Sequence, residues 1–404
     1  MNQTAPARGT IGTLLLIVFI DMLAFGIIIP FMPFWAQRFG ASPALVAILF
    51  ATYSLFAFLS SVVWGTLSDR WGRKPVICLS MLGSAVSFAW ISQADALWML
   101  FAARALSGLM GGTISVAQAY VADITPRKDR AARMGLVGAA IGAGFVVGPG
   151  IGWPLSQLGT DELDFRTVFL VAAAVSLAGF VASVIVLREP PRRVETDVPR
   201  SLAGRFRTFV VCANLPVLFL PLIVLTLIAF CMGGLESTFA LWSERQLYWG
   251  VRENAIFFFF VGLVMVVVQG GVVRPLVKRV GEGPVVAAGA LMMAAGFATV
   301  LIVHAAPMAF VGGALIAIGF GLANPALHAT ISLNAPEEHQ GAALGASQSA
   351  QSLCRILGPT AAGLAFGAFG RDAPYLGGAV LLLIAFLVAL RMLRHSRAAA
   401  VGAD

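Results

Sequence analysis

Residues 65–76 read GTLSDRWGRKPV. The stretch before them, Val46 to Trp64, contains no charged residue, and neither does the stretch after them, Val76 to Ile91. Between the two lie Asp69, Arg70, Arg73 and Lys74, with glycines at 65 and 72. A bilayer core takes about 20 mainly apolar residues per helix, and a charge in its middle is costly. Two apolar runs of that length, parted by a few charged residues and a glycine, therefore read as two membrane helices joined by a tight polar turn.

The rest of the chain agrees. It has 404 residues, of which 59% are hydrophobic and 11% charged, where soluble domains carry roughly 25% charged residues. That composition excludes a soluble protein and makes the lipid bilayer the solvent. The 43 glycines and 20 prolines suit membrane helices, which tolerate both. The net charge of +8 is read as basic cytoplasmic loops, so no nucleic acid partner is expected. Cys78, Cys212, Cys231 and Cys354 are scattered over apolar stretches and are read as small helix residues, with no metal site. The opening segment is too long for a secretion leader and carries Asp21, so it is read as a retained first span.

Cutting at charges, prolines and polar clusters gives twelve spans, at about 11–35, 43–65, 75–94, 97–121, 134–156, 166–187, 214–241, 254–274, 284–304, 307–330, 341–367 and 374–392. With the N-terminus inside, twenty of the 27 Lys and Arg residues fall in cytoplasmic segments and five in outer ones. Arg104 and Arg355 lie within spans. This bias puts both termini in the cytoplasm. The one long polar stretch, REPPRRVETDVPRSLAGRFR from Arg188 to Arg207, reads as a linker. The expected fold class is thus all-α integral membrane, with twelve helices in two six-helix bundles. Residues 1–187 form the first bundle, 188–213 a cytoplasmic linker, and 214–404 the second bundle and a short tail.

The two bundles are related. Shifted by 209 residues, GTLSDRWGRKPV at 65 falls on RPLVKRVGEGPV at 274, matching Leu67, Arg70, Gly72, Pro75 and Val76 with Leu276, Arg279, Gly281, Pro284 and Val285. FAARALSGLMGG at 101 falls on FVGGALIAIGFG at 310, and with one residue of slip Gly148-Pro149 falls on Gly358-Pro359. Agreement at one offset in three places points to two homologous halves. Transporters with parallel halves bind substrate near mid-membrane and rock around it. Asp69, in the charged turn, is read as a latch of one state, acting on Arg neighbours or on a helix N-terminus.

GTLSDRWGRKPV resembles the signature between helices 2 and 3 of the major facilitator superfamily. RALSG, Arg104 to Gly108, resembles its helix 4 signature. GAGFVVGPGIG, Gly142 to Gly152, is similar to the helix 5 signature of the drug/proton antiporter branch, and FIDMLAFGIIIPFMP, Phe19 to Pro33, to helix 1 of that branch. Loop and linker pattern look nearest to the twelve-helix tetracycline exporters. Those exporters carry a His four residues before a helix 8 Gln; here Gln269 is preceded by Met265, and Glu236 stands in helix 7, where that class has no acid. The resemblance implies the branch without implying tetracycline as substrate.

Several residues stand out one at a time. Arg104 lies among apolar neighbours, at a cost of about 2.5–3.5 kcal/mol on insertion scales, and its repeat mate is Gly313. The fold does not demand a cation there, and the resemblance implies a role in proton coupling. Asp21 and Glu236 are acids inside spans, and such groups bind or release a proton as their surroundings dry or as a cation approaches. These three form the expected proton-coupling set. Gly65, Asp69, Gly72 and Arg73 form the expected latch, and the resemblance pairs Arg73 with Asp123. Gly144, Gly148, Pro149 and Gly152 give helix 5 a thin face for close packing. Gln348, Gln351 and Arg355 in helix 11 are candidate cavity residues. His304 and His328, near span ends, are read as incidental.

The expected function is export of small amphipathic, drug-like compounds in exchange for protons by a monomer of the bacterial inner membrane. The proton gradient replaces any cofactor: no phosphate-cradling GxxxxGK[ST] run occurs in the chain, and no enzyme activity is expected. A proton-coupled importer of a sugar or organic acid shares the fold but has no need of the helix 5 glycine face. A receptor without transport is expected to append a soluble domain.

Overall fold

The computed structural model describes residues 8–125, 130–157, 165–190, 216–335 and 340–401, and among them every regular element is helical. Twelve segments are long and apolar enough to cross a membrane, so the chain is a multi-pass membrane protein. Two compact units divide it: Met1–Ala41 with Thr52–Arg200, and Ser42–Ala51 with Ser201–Asp404. The expected linker falls outside the described residues from 191 to 213.

The first set of helices is α1 (Arg8–Ile28), α2 (Met32–Arg38), α3 (Pro43–Trp71), α4 (Arg73–Ser92), α5 (Leu97–Leu109), α6 (Thr113–Ile124), α7 (Arg130–Ser156) and α8 (Arg166–Val186). The second is α9 (Pro216–Leu247), α10 (Val251–Val267), a π-helical turn (Val268–Val272), α11 (Val273–Val280), α12 (Glu282–Leu301), α13 (Ala306–Asn334), α14 (Gln340–Phe369) and α15 (Ala373–Val401). The repeat read from sequence reappears as packing. In the first unit α1 lies along α7 and α8, and α4 lies along α8; in the second, α9 lies along α14 and α15, and α12 lies along α15.

Several spans differ from the sequence expectation. The first was expected to run to 35, but α1 ends at Ile28 and a separate α2 begins at Met32. Pro30 and Pro33 are the cause, since the residue before a proline avoids the α region and proline itself lacks an N–H. The fourth span breaks at residues 110–112 between α5 and α6. Freed backbone groups inside lipid must find partners, and neighbouring helices supply them. The Trp64 indole donates to the Leu109 carbonyl at 2.6 Å, the Ser60 hydroxyl donates to the Gly108 carbonyl at 3.1 Å, and Ser80 accepts from the Gly112 N–H at 3.2 Å. The eighth span widens into the π turn around Gln269, Gly270 and Gly271, and continues to Val280 instead of ending near 274. The seventh also overruns its expected end at 241, carrying Glu244 and Arg245 in its last turns.

Candidate functional site

The charged turn of the first unit is built around Arg73. Gly72 holds φ at +107°, a conformation side chains avoid, and this lets α3 turn at once into α4. Arg73 then sits at the first position of α4. Its guanidinium donates to Asp123 Oδ2 at 2.7 Å, to Asp69 Oδ1 at 2.7 Å and to Ser68 Oγ at 2.6 Å. Arg73 and Asp123 side chains are only 12% and 11% exposed, against 35% for Asp69, so the Asp123 pair is the desolvated and more consequential one. The turn rests on an apolar cluster that includes Trp64, Val76, Ile77, Tyr120 and Leu187.

Glu189, which sequence reading passed over as part of the linker, completes this turn. One carboxylate oxygen accepts from the Arg73 N–H at 2.6 Å, the other from the Lys74 N–H at 2.8 Å. These are orphan donors of the α4 N-terminus, and an anion there also suits the helix dipole. A Cβ on Gly72 would meet the Glu189 carboxylate at 2.6 Å, so that glycine serves both the backbone angle and the acid. Lys74 Nζ donates to the Val184 carbonyl at 2.7 Å, and the Tyr120 hydroxyl donates to the Arg188 carbonyl. The end of α8 is thereby tied to the turn. Nothing lies within 4 Å of a Cβ built on Gly65, so packing does not require that glycine.

Asp21 and Arg104 lie in the same unit but in different surroundings. Asp21 is half-buried on α1 and faces the Thr113 side chain at the start of α6. Arg104 is 2% exposed, and its guanidinium carbon lies 4.6 Å from the Tyr53 ring centre and 5.5 Å from that of Phe25. Ring faces are electron-rich, and a desolvated cation gains about 2 kcal/mol from one. Tyr53 and Phe25, themselves 5.0 Å apart, are partners that no sequence spacing revealed.

The helix 5 glycines hold α1 in place. A Cβ on Gly144 would meet Met22 Cβ at 2.6 Å and the Phe19 carbonyl oxygen at 2.8 Å, the residues that flank Asp21. On Gly148 it would meet the backbone of Gly26 and Ile27 at 2.6 Å, and on Gly152 the Phe31 ring at 2.6 Å. These glycines, four residues apart, let α7 approach the α1 backbone along two turns. Pro149 lies inside α7 between them.

In the second unit, Glu236 is half-buried on α9 and Arg355 is exposed on α14. Arg355 acts on Glu236 electrostatically. Their helices are in close register there: a Cβ on Gly233, one turn before Glu236, would meet the Cys354 carbonyl oxygen at 3.4 Å and Pro359 Cδ at 3.1 Å. Gln351, one turn before Arg355, lies 3.0 Å from Nε2 of His328 on α13. His328 is thus hydrogen-bonded to a neighbouring helix, a contact that the sequence reading did not anticipate. Gln348, one further turn back, is exposed. No group of three or more His, Cys, Asp or Glu suited to a metal occurs among the described residues.

Twelve spans and a packing pattern repeated in two sets of six are the architecture of a membrane transporter. The family model described as Major Facilitator Superfamily matches residues 14–359 and 271–403, and the chain belongs to that family. It is 30% identical to the tetracycline resistance protein, class C, of Escherichia coli over 387 residues, covering 94% of this chain and 96% of that protein. It is also 30% identical to multidrug resistance protein 2 of Bacillus subtilis (strain 168) over 383 residues, covering 91% of each. Among solved structures, the human organic anion transporter MFSD10 (TETRAN) matches with a TM-score of 0.73 at 21% identity, covering 96% of this chain and 100% of that one. The fold is shared at that distance. The protein is a membrane transporter and not an enzyme.

Proposed function

We propose that this transporter exports small amphipathic compounds in exchange for protons, working as a monomer in the bacterial cytoplasmic membrane with both termini inside. The relatives named for tetracycline and multidrug resistance support the export of drug-like molecules, and the Lys and Arg bias supports the orientation. The observation that carries proton coupling is the set of ionisable side chains inside spans: Asp21 on the α1 face clamped by the α7 glycines, Arg104 over Tyr53 and Phe25, and Glu236 near Arg355. A carboxyl in such a site holds a proton when dry and releases it when water or a cation reaches it. Alternating access changes those conditions twice per cycle, so that substrate and proton bind in turn. Asp69 and Arg73, with Asp123, act as the latch of one state.

The test is substrate-induced proton movement in sealed vesicles. Asp21→Asn and Glu236→Gln each reduce proton-driven net efflux, and where the replaced acid is the essential carrier, substrate exchange survives. If the double variant still moves protons with unchanged stoichiometry, these acids are not the carriers.

A further inference from the structure

Within the second unit, α9, α14 and α15 surround a cavity of about 140 Å³. Its floor includes Gly234 and Thr238 of α9, and its walls Ala361 and Ala365 of α14 and Gly377 and Gly378 of α15. Ala361 and Gly377 are themselves exposed, so the cavity opens at the surface as a groove. Exposed Leu357 and Leu364 of α14 stand along one rim, and exposed Leu376 and Val380 of α15 along the other. At membrane depth such rims meet lipid tails, which are as apolar as leucine. The small residues of α14 are particular to this unit. At the offset that aligns Gly148-Pro149 with Gly358-Pro359, Ala361 and Ala365 fall on Ile151 and Leu155 of α7. The hydroxyls on the floor are already satisfied: Thr238 donates to the Gly234 carbonyl at 2.8 Å and lies 3.2 Å from the Tyr375 hydroxyl. An apolar cavity of this size takes up an apolar guest as large as benzene, and left empty it forfeits the dispersion contacts of its lining.

One end of the groove is charged. Arg371, between α14 and α15, donates to the Arg245 carbonyl at 2.9 Å, and the Arg245 guanidinium lies 5.0 Å from the ring of Phe366, the neighbour of Ala365. Arg245 follows Gly234 and Thr238 on the same face of α9, while Glu244 is turned away by one residue's rotation, about 100°. Asp372 is also at this end. Its Oδ1 accepts from the Trp242 indole at 2.9 Å, and its Oδ2 lies 3.9 Å from Arg371 Nε. Both guanidinium groups therefore stand where the spans end and lipid headgroups begin.

We propose that the groove holds one acyl chain of a membrane phospholipid, with the lipid's phosphate on Arg371 and Arg245. Guanidinium groups pair with phosphate through parallel, charge-assisted hydrogen bonds. The lipid fills the space between α14 and α15, each of which packs on α9, and its binding does not depend on which compound is transported.

The test uses the full-length protein in detergent micelles, with dioleoyl phosphatidylglycerol as the probe, read by native mass spectrometry and by the thermal midpoint. The wild type keeps one lipid per protein through delipidating washes, and its midpoint rises as the probe is added, since a ligand of the folded state stabilises it. Ala361→Leu together with Gly377→Leu fills the groove and abolishes both effects. Arg371→Gln leaves the groove open and weakens retention about tenfold. Leu387→Ala, on the exposed face further along α15, changes neither and controls for lipid held loosely around the protein. A filled variant with wild-type helicity that still keeps the lipid, or a wild type that loses it in the washes, overturns the proposal. If the filled variant does not fold, Arg371→Gln decides: retention equal to wild type overturns the proposal. Wild-type binding of oleate as tight as that of the phospholipid overturns the phosphate contact.

Discussion

At positions 209 residues apart the two units handle the same helix in opposite ways. In the first, Arg104 is buried over Tyr53 and Phe25. In the second, the matching residue is Gly313, and a Cβ there would meet the Phe257 ring at 2.6 Å. Phe257 is stacked on Phe239 at 4.1 Å. One unit spends that position on a desolvated charge and the other closes it with aromatic packing. The charged turns differ in the same sense. Gly72 and Gly281 both hold a positive φ, at +107° and +83°, yet Asp69 and Arg73 of the first turn stand where Lys278 and Glu282 stand in the second. Glu189 lies over Gly72, whereas a Cβ on Gly281 would meet nothing within 4 Å. What both units share is backbone geometry, which the fold needs. Apart from Arg70 and Arg279, the charged side chains at these positions are not shared, and the unshared ones are the residues to test for function.

The largest difference between the units is expected at Arg104. Arg104→Gln should bring uphill efflux to background while leaving the protein in the membrane, and Gly313→Ala should keep uphill efflux after a modest loss of stability. Net transport against a gradient, normalised to membrane abundance, checks both. Uphill transport by Arg104→Gln would remove the cation from the mechanism.

Next comes the Arg73 hub. Arg73→Ala leaves Asp123 buried without its partner, and breaking a buried pair costs about 3–5 kcal/mol. The opposite number, Glu282→Ala, should stay within about 0.5 kcal/mol, as surface changes do. Thermal unfolding of the two variants in detergent decides. Equal shifts would mean that the two turns are held alike, contrary to the Asp69–Arg73–Asp123 geometry.

The helix crossings should respond equally. Gly148 of α7 meets Gly26 and Ile27 of α1, and Gly358 of α14 meets Phe230 and Gly234 of α9. Gly148→Leu and Gly358→Leu should each destabilise by about 1–3 kcal/mol through overpacking, and Gly148→Leu should also halt efflux by displacing the Asp21 segment. Denaturation midpoints and efflux rates read the two effects. Full efflux by Gly148→Leu would separate this packing from the cycle.

Smallest is the contrast between turn glycines. Gly72→Ala and Gly281→Ala both force a side chain into the left-handed region, at roughly 1–2 kcal/mol. Only the first also collides with Glu189. Gly72→Ala should therefore be the worse of the two, and adding Glu189→Ala should narrow the gap. A gap that the second substitution leaves untouched would show that Glu189 does not set the requirement.

The sequence by itself determined the membrane class, the number of spans and the internal repeat. Each is a property of local apolar runs or of one offset along the chain: a run of about 20 apolar residues has few alternatives in water or lipid. It also singled out Arg104, Asp21 and Glu236, because a charge in such a run is conspicuous wherever the helices pack. Only the tertiary structure decided what each charge meets. Glu189 is 116 residues from Arg73 in sequence, Tyr53 is far from Arg104, and His328 is 23 residues from Gln351. No periodicity links such pairs, since the two residues of each lie on different segments that meet only when the helices pack. The helix breaks at Pro30 and at residues 110–112 follow the same division: glycine and proline permit a break, but whether it is tolerated inside lipid depends on Trp64, Ser60 and Ser80 arriving from other helices to satisfy the freed backbone.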